Sequence, residues 1–435
     1  MSAAFSLARA KRWLAADARL LAAEAPHDAQ GFGRVDMLVD DGRIAAIAPA
    51  GARDFGDAPR LNLAGRIALP AFVDAHTHLD KGHIWRRSPN PSGDFPAAIA
   101  TVTSDRAARW NAADVAARME FSLRCAYARG TRAIRTHLDS VGPQAEISFP
   151  VFAAARERWK GRIDLQASPL FGVDVMFAPG HLATVEAMVE AHGSRLLGAV
   201  TYMIPGLQGA LDALFALAER RGWDLDFHVD ESADPEARTL GLIADTALRR
   251  GFAGKILAGH CCSLARQDDD ERQRVIEKVA RANISVVSLP MCNLFLQDRH
   301  AGRTPRWRGV TALHELKAAG VETLIASDNT RDPFYAYGDL DMLEVWREGV
   351  RILHLDYPHA DWADAVSAHP ARALGIAPPR LAVGEPADMI LTQARDFTEL
   401  FSRPQADRLV VRDGAAVAAP APAYSDLDAV EGLSP

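Results

Sequence analysis

Between residues 66 and 328 eight short apolar runs recur, several of them separated by amphipathic stretches, and this alternation restricts the fold more than any other feature of the chain. The runs are RIALPAFVDAHTH (66–78), TRAIRTHL (131–138), RIDLQASPLFGV (162–173), RLLGAVTYMI (195–204), WDLDFHV (223–229), KILAGH (255–260), ISVVSLP (284–290) and VETLIASD (321–328). Apolar runs alternating with helical patterns make parallel strands joined by helical crossovers. Two of the helices carry clear stops: ADVAARMEFSLRCAYAR ends at Gly130, and TALHELKAA ends at Gly320 just before the next run. Eight β/α units predict an α/β fold of the (β/α)8 TIM-barrel type over residues 66–375.

The flanks read differently. VDMLVDDGRIAAIAP alternates around Asp41-Gly42, and PADMILTQA with DRLVVRDGAAVA repeats that texture near the other end, with Asp413-Gly414 as the turn. Residues 1–65 and 376–425 are therefore expected to build one small β-sandwich from both termini. The Pro- and Ala-containing stretch after about Ala418 reads as a loosely held extension, with 426–435 as its tail. A length of 435 residues suits one large barrel with such a companion.

Composition narrows the function. Forty-nine Lys plus Arg against 56 Asp plus Glu leave a net charge of −7, so no basic surplus points to nucleic acid or to an anionic membrane. Small-molecule chemistry is favoured. The four cysteines, Cys125, Cys261, Cys262 and Cys292, contain no CxxC pair and make no disulfide framework, which fits a reducing compartment. Arg9, Lys11 and Arg12 interrupt the apolar N-terminus, and no run approaches the roughly 18 apolar residues of a membrane span. A soluble cytoplasmic protein is expected.

In a barrel of this type the working residues sit at the C-terminal ends of the strands. The first run ends in His76-Thr77-His78, whose two-residue spacing puts both imidazoles on one face. The fifth ends in His228-Val229-Asp230-Glu231, the sixth in Gly259-His260 and the eighth in Ser327-Asp328. Any one of these is an ordinary polar residue at a strand end. Together they supply imidazoles and a carboxylate for a divalent ion, leaving a position for water whose pKa the ion lowers towards neutrality. Glu231, three residues past His228, suits general acid/base work, while His260 either orients the water or serves as a further ligand. No lysine lies between Lys160 and Lys255, so the fourth strand offers none to bridge two metals, and a single ion is expected. A zinc deaminase site built on HxE and a paired CxxC is excluded by the cysteines.

FVDAHTHLD, RTHLD at 135–139, HVDE, GH and SDNTRDPFY, with VVSLPMCNLFLQDR and TPRWRGVTALHELKAAGV, resemble the cytosine deaminase branch of the amidohydrolase superfamily across the barrel and the flanking sheets. The resemblance implies one iron or zinc ion on His76, His78, His228 and Asp328, with Glu231 and His260 completing a catalytic set that includes Asp328. It implies deamination of an aminated nitrogen heterocycle, and a homo-oligomer. The pocket departs from the branch at Leu170, near the place of a ring-reading Gln, at Asn329 in place of a second Asp, and at Phe334 in place of Trp; Gln166 lies earlier on the same run. Leu170, Gln166, Asn329 and Phe334 are the expected substrate-binding residues, and a more apolar pocket the expected result. Cytosine or a substituted cytosine such as 5-methylcytosine is the expected substrate. The rivals are hydrolysis of another C–N bond, as in an N-alkylamino triazine, and a non-catalytic barrel serving in assembly.

Overall fold

The computed structural model describes residues 10–21, 25–418 and 420–432, so the reading of the extreme N-terminus lies in large part outside the described residues. Each apolar run falls on a strand. After β1 (Arg12–Leu21), β2 (Phe32–Asp40), β3 (Arg43–Pro49), β4 (Arg60–Asn62) and β5 (Ala68–Pro70) come the parallel strands β6 (Phe72–Thr77), β7 (Thr131–Asp139) and β8 (Asp164–Leu170). They form a three-stranded sheet in the order β6-β7-β8. A second parallel sheet contains β9 (Leu196–Leu197), β10 (Val200–Thr201), β11 (Asp224–Val229), β12 (Ile256–His260), β13 (Ile284–Ser288) and β14 (Thr323–Ile325). Its path runs β10-β11-β12-β13-β14, with β9 also on β11. Single parallel bridges join the two sheets at both margins, Gly172 to Val200 and Thr77 to Asp328. The strands thus follow the expected order without one uninterrupted ladder.

The fourth run is split because its backbone passes very close to the next strand. A Cβ on Gly198 would lie 2.0 Å from the Asp226 carbonyl oxygen, so only glycine fits between β9 and β10. The helix Ala112–Arg129 behaves as its sequence dictates. Asn111 accepts the amides of Ala113 and Asp114 at its start, and Gly130 ends it at φ 99°, a conformation that suits glycine.

The flanking β segments form two antiparallel-rich sheets, β3-β2-β1-β4 and a sheet in which β5 pairs with β15 (Met389–Leu391), followed by β16 (Leu409–Arg412) and β17 (Ala415–Ala416). Trp13, Val35, Met37 and Val39 from the first pack with Met389, Leu391 and Val411 from the second in one buried cluster. The Trp13 indole donates to the Gly414 carbonyl at 2.8 Å.

The C-terminal stretch departs from its expectation. Rather than hanging loose, Tyr424–Leu427 and Asp428–Glu431 form helical turns on the surface of the helix Ala112–Arg129, with Leu427 buried against Phe121 and Cys125. Arg87 donates to the Val430 carbonyl at 3.0 Å, and Arg86 pairs with Asp428 at 3.2 Å and Glu431 at 2.9 Å. Composition hid one buried leucine flanked by acids that meet arginines. Residues 433–435 lie outside the described residues. No helix among the described residues is long and apolar enough to cross a membrane.

Candidate active site

The ligand candidates converge at the C-terminal ends of the parallel strands. His76 and His78 come from the end of β6, His228 from β11, and Asp328 from the turn after β14. The Nε2 atoms of His76 and His228 lie 3.1 Å apart, and those of His228 and His78 3.4 Å. Asp328 Oδ1 is 3.6 Å from His76 Nε2 and 3.2 Å from His78 Nε2. Donors about 2.1 Å from one ion stand roughly 3 to 3.5 Å from each other, so these four atoms fit a shared cation. Among the described residues the buried Asp328 carboxylate receives no N–H or O–H hydrogen bond, with only the Cys292 thiol beside it, a state a cation would relieve. Burial holds His76, His78 and His228 well below the ordinary imidazole range, in the neutral form that ligates.

Local backbone geometry serves this convergence. Asp230, His260 and Asp328 all have positive φ, at 46°, 67° and 61°, so the chain turns sharply as three strands end. Gly259 is paired with His228 and lies under the His76 ring, where a Cβ would come within 2.8 Å of Cε1 and 3.0 Å of Nδ1. Gly259→Ala should therefore displace a ligand without touching the cavity. The expected result is metal affinity lowered by about 10- to 100-fold, read by competition with a chromogenic chelator, with the helical circular dichroism retained.

Two contributors were not singled out from the sequence. His137, near the end of β7, has its ring tilted against that of His76 with centroids 4.1 Å apart, and lies 3.0 Å from Asp226 Oδ1 through Nε2. Its signal was present, since RTHLD puts Arg135, His137 and Asp139 on one face and Arg135 pairs with the same Asp226 at 2.9 Å. Asn293, in the helix Pro290–Leu296, spends its two amide hydrogens on Glu231 Oε1 at 2.9 Å and His260 Nδ1 at 3.0 Å. That contact makes His260 Nδ1 an acceptor and leaves the proton on Nε2, which has no partner of its own among the described residues. Burial pushes His260 down to about 3. Burial raises Glu231 well above the ordinary carboxylate range, and the nearby Asp328 charge adds to the rise.

A cavity of about 560 Å³ opens onto this cluster, and His78, His228, Glu231, His260 and Asp328 all contribute to its wall. Leu170, Asn329 and Phe334 line it too. Gln166 does not: its amide accepts from Arg135 at 2.9 Å and donates to the Leu374 carbonyl at 2.8 Å. The reason is strand length. Gln166 shares a face with Leu170 but sits four residues earlier, about 13 Å below the rim. The lining also includes Lys81, Arg106 and Asp139, charged groups that the sequence reading did not place there.

The model of the Amidohydrolase family matches residues 173–418. A pterin deaminase of Rhizobium rhizogenes strain K84 is 57% identical over 364 residues, covering 83% of each chain. An N-isopropylammelide isopropyl amidohydrolase of Pseudomonas sp. strain ADP is 24% identical over 281 residues, 63% of this chain and 66% of that one. Among solved structures, a 5-methylcytosine deaminase from Klebsiella pneumoniae liganded with 5-fluorocytosine superposes with TM-score 0.80 at 26% identity, covering 93% of this chain and 97% of its own. Sequence, fold and ligand cluster agree on lineage, and the chain belongs to the amidohydrolase family.

Proposed function

We propose that this amidohydrolase removes the exocyclic amine of a fused, pterin-type nitrogen heterocycle as ammonia. Hydrolysis of a C–N bond on an N-heterocycle is common ground with its relatives; the pterin is the finer step, and the 57% identity to a pterin deaminase carries it. The cavity of about 560 Å³ supports it, being roomier than a single six-membered ring requires. Cytosine or 5-methylcytosine is the second reading, favoured by the fold match to the Klebsiella enzyme. The scaffold reading that goes with both is a (β/α)8 barrel with a sandwich companion.

His76, His78, His228 and Asp328 would hold one zinc or iron ion, which supplies an acidified water when bound. Glu231 takes a proton at Oε1 or Oε2 and delivers it to the ring nitrogen and the departing amine, a role suited to a carboxyl whose burial raises its basicity. His260 presents Nε2–H towards the oxygen that develops charge, held in that tautomer by Asn293. The cavity wall of Leu170 and Phe334 excludes water from the face of the ring.

The test is ammonia release from pterins, cytosine, 5-methylcytosine and N-alkylamino triazines with zinc- and iron-loaded protein. Pterins should exceed cytosine by at least about 10²-fold in kcat/KM. Turnover of cytosine without pterin overturns the pterin reading, and no turnover with a fully loaded site favours the non-catalytic alternative.

A further inference from the structure

We propose that Lys81 is a specificity-determining residue that donates to a ring oxo group placed one ring nitrogen away from the amine-bearing carbon. The inference rests on the deaminase reading above, and deepens it by naming the edge of the substrate that the protein reads.

Lys81 is one of six lysines in the chain and is 5% exposed, in the wall of the same cavity as His78. Its ammonium lies 3.1 Å from Asp139 Oδ1 and 5.0 Å above the Phe334 ring. The other Asp139 oxygen is taken by Arg106 at 2.7 Å, so Asp139 is anchored from both sides and holds the ammonium in place. An ammonium carries three donors. The Asp139 contact uses one, and burial makes an unused donor costly unless a ligand takes it.

Several other polar side chains of the lining are already engaged, and Arg106 is turned onto the same Asp139. Leu170, near the place of a ring-reading amide, has no polar atom. The Asn329 amide nitrogen is committed to Asp332 at 2.7 Å, the Tyr202 hydroxyl to Asp174, and the Thr201 hydroxyl to Thr239 at 2.8 Å and the His228 carbonyl at 3.1 Å. A donor so placed can bind the oxo group of the amine–carbon–nitrogen–carbonyl edge that pterin and cytosine share.

The experiment is a cycle between protein and substrate, using metal-loaded enzyme, wild type and Lys81→Met, with pterin and 2-aminopteridine, which lacks the oxo group. The cycle cancels the intrinsic reactivities of the two rings. Wild type should prefer pterin by at least about 10²-fold in kcat/KM beyond the preference left in Lys81→Met, with the loss falling mostly on pterin and the metal content unchanged. Lys81→Arg, which keeps the cation opposite Asp139, should recover part of the preference and serves if the Met variant does not fold. Equal losses for both substrates, or no change in preference in either variant, overturn the proposal. Should cytosine and not pterin be turned over, the pterin reading fails alone, and the same cycle is run with cytosine and 4-aminopyrimidine.

Discussion

Glu231→Gln should leave the metal and substrate affinity in place while kcat falls by about 10²- to 10⁴-fold. The amide is nearly isosteric, and its carbonyl oxygen can still accept the Asn293 amide that now reaches Glu231 Oε1 at 2.9 Å. What disappears is a group that can take up a proton and give it back. Nothing is lost in packing, and a buried carboxyl raised chiefly by desolvation is replaced by a neutral group, so thermal stability should hold or rise. Pre-steady-state ammonia release with parallel elemental analysis gives the answer. A variant that loses its ion would show Glu231 to be a ligand, and one with kcat within a few-fold of wild type would remove it from proton transfer.

His76→Ala should fail in the other way, losing ion and turnover together. His76 is fully buried, with its Nε2 facing His228 and Asp328, and its ring fills the space between His137 and Gly259. Removing it deletes one of the four candidate donors and leaves the buried Asp328 carboxylate facing His78 alone of the first-strand pair. Stoichiometric metal in wild type should drop to a trace after dialysis, with kcat/KM lower by at least about 10³-fold because water is no longer acidified. Zinc or iron added back in excess should not restore it. Full activity in a metal-free variant would refute the ligand set.

The difference between what could be read in the residues and what could not follows from periodicity. β11, β12 and β13 were plain because LDFHV, ILAGH and ISVVS are short runs dominated by apolar and β-branched or aromatic residues, and a candidate ligand at the end of such a run is positioned by the run itself. Gln166 was misjudged by the same logic, since a period of two fixes the face but says nothing about height along the strand. The cavity wall came from Lys81, Arg106 and Asp139, which lie on a loop, a helix end and a strand end that only meet in the folded chain. Asn293 was hidden in a seven-residue helix whose start has no capping side chain. Leu427 carries no pattern at all, and only the fold reveals the apolar patch of Phe121 and Cys125 that receives it.

The single bridge between Thr77 and Asp328 has a consequence for how the protein comes into being. The Asp328 amide donates to the His76 carbonyl at 2.9 Å, and the Thr77 hydroxyl donates to the Asp328 carbonyl at 2.8 Å, so the stitch between the first and last parallel strands is made by residues among and beside the ligands. A nascent chain that has emerged only as far as β13 holds His76, His78 and His228 but neither the stitch nor the Asp328 carboxylate. The margin of β6 thereby stays open until the polypeptide has come back to meet its own beginning, and a product truncated before β14 cannot close the strand order at that margin.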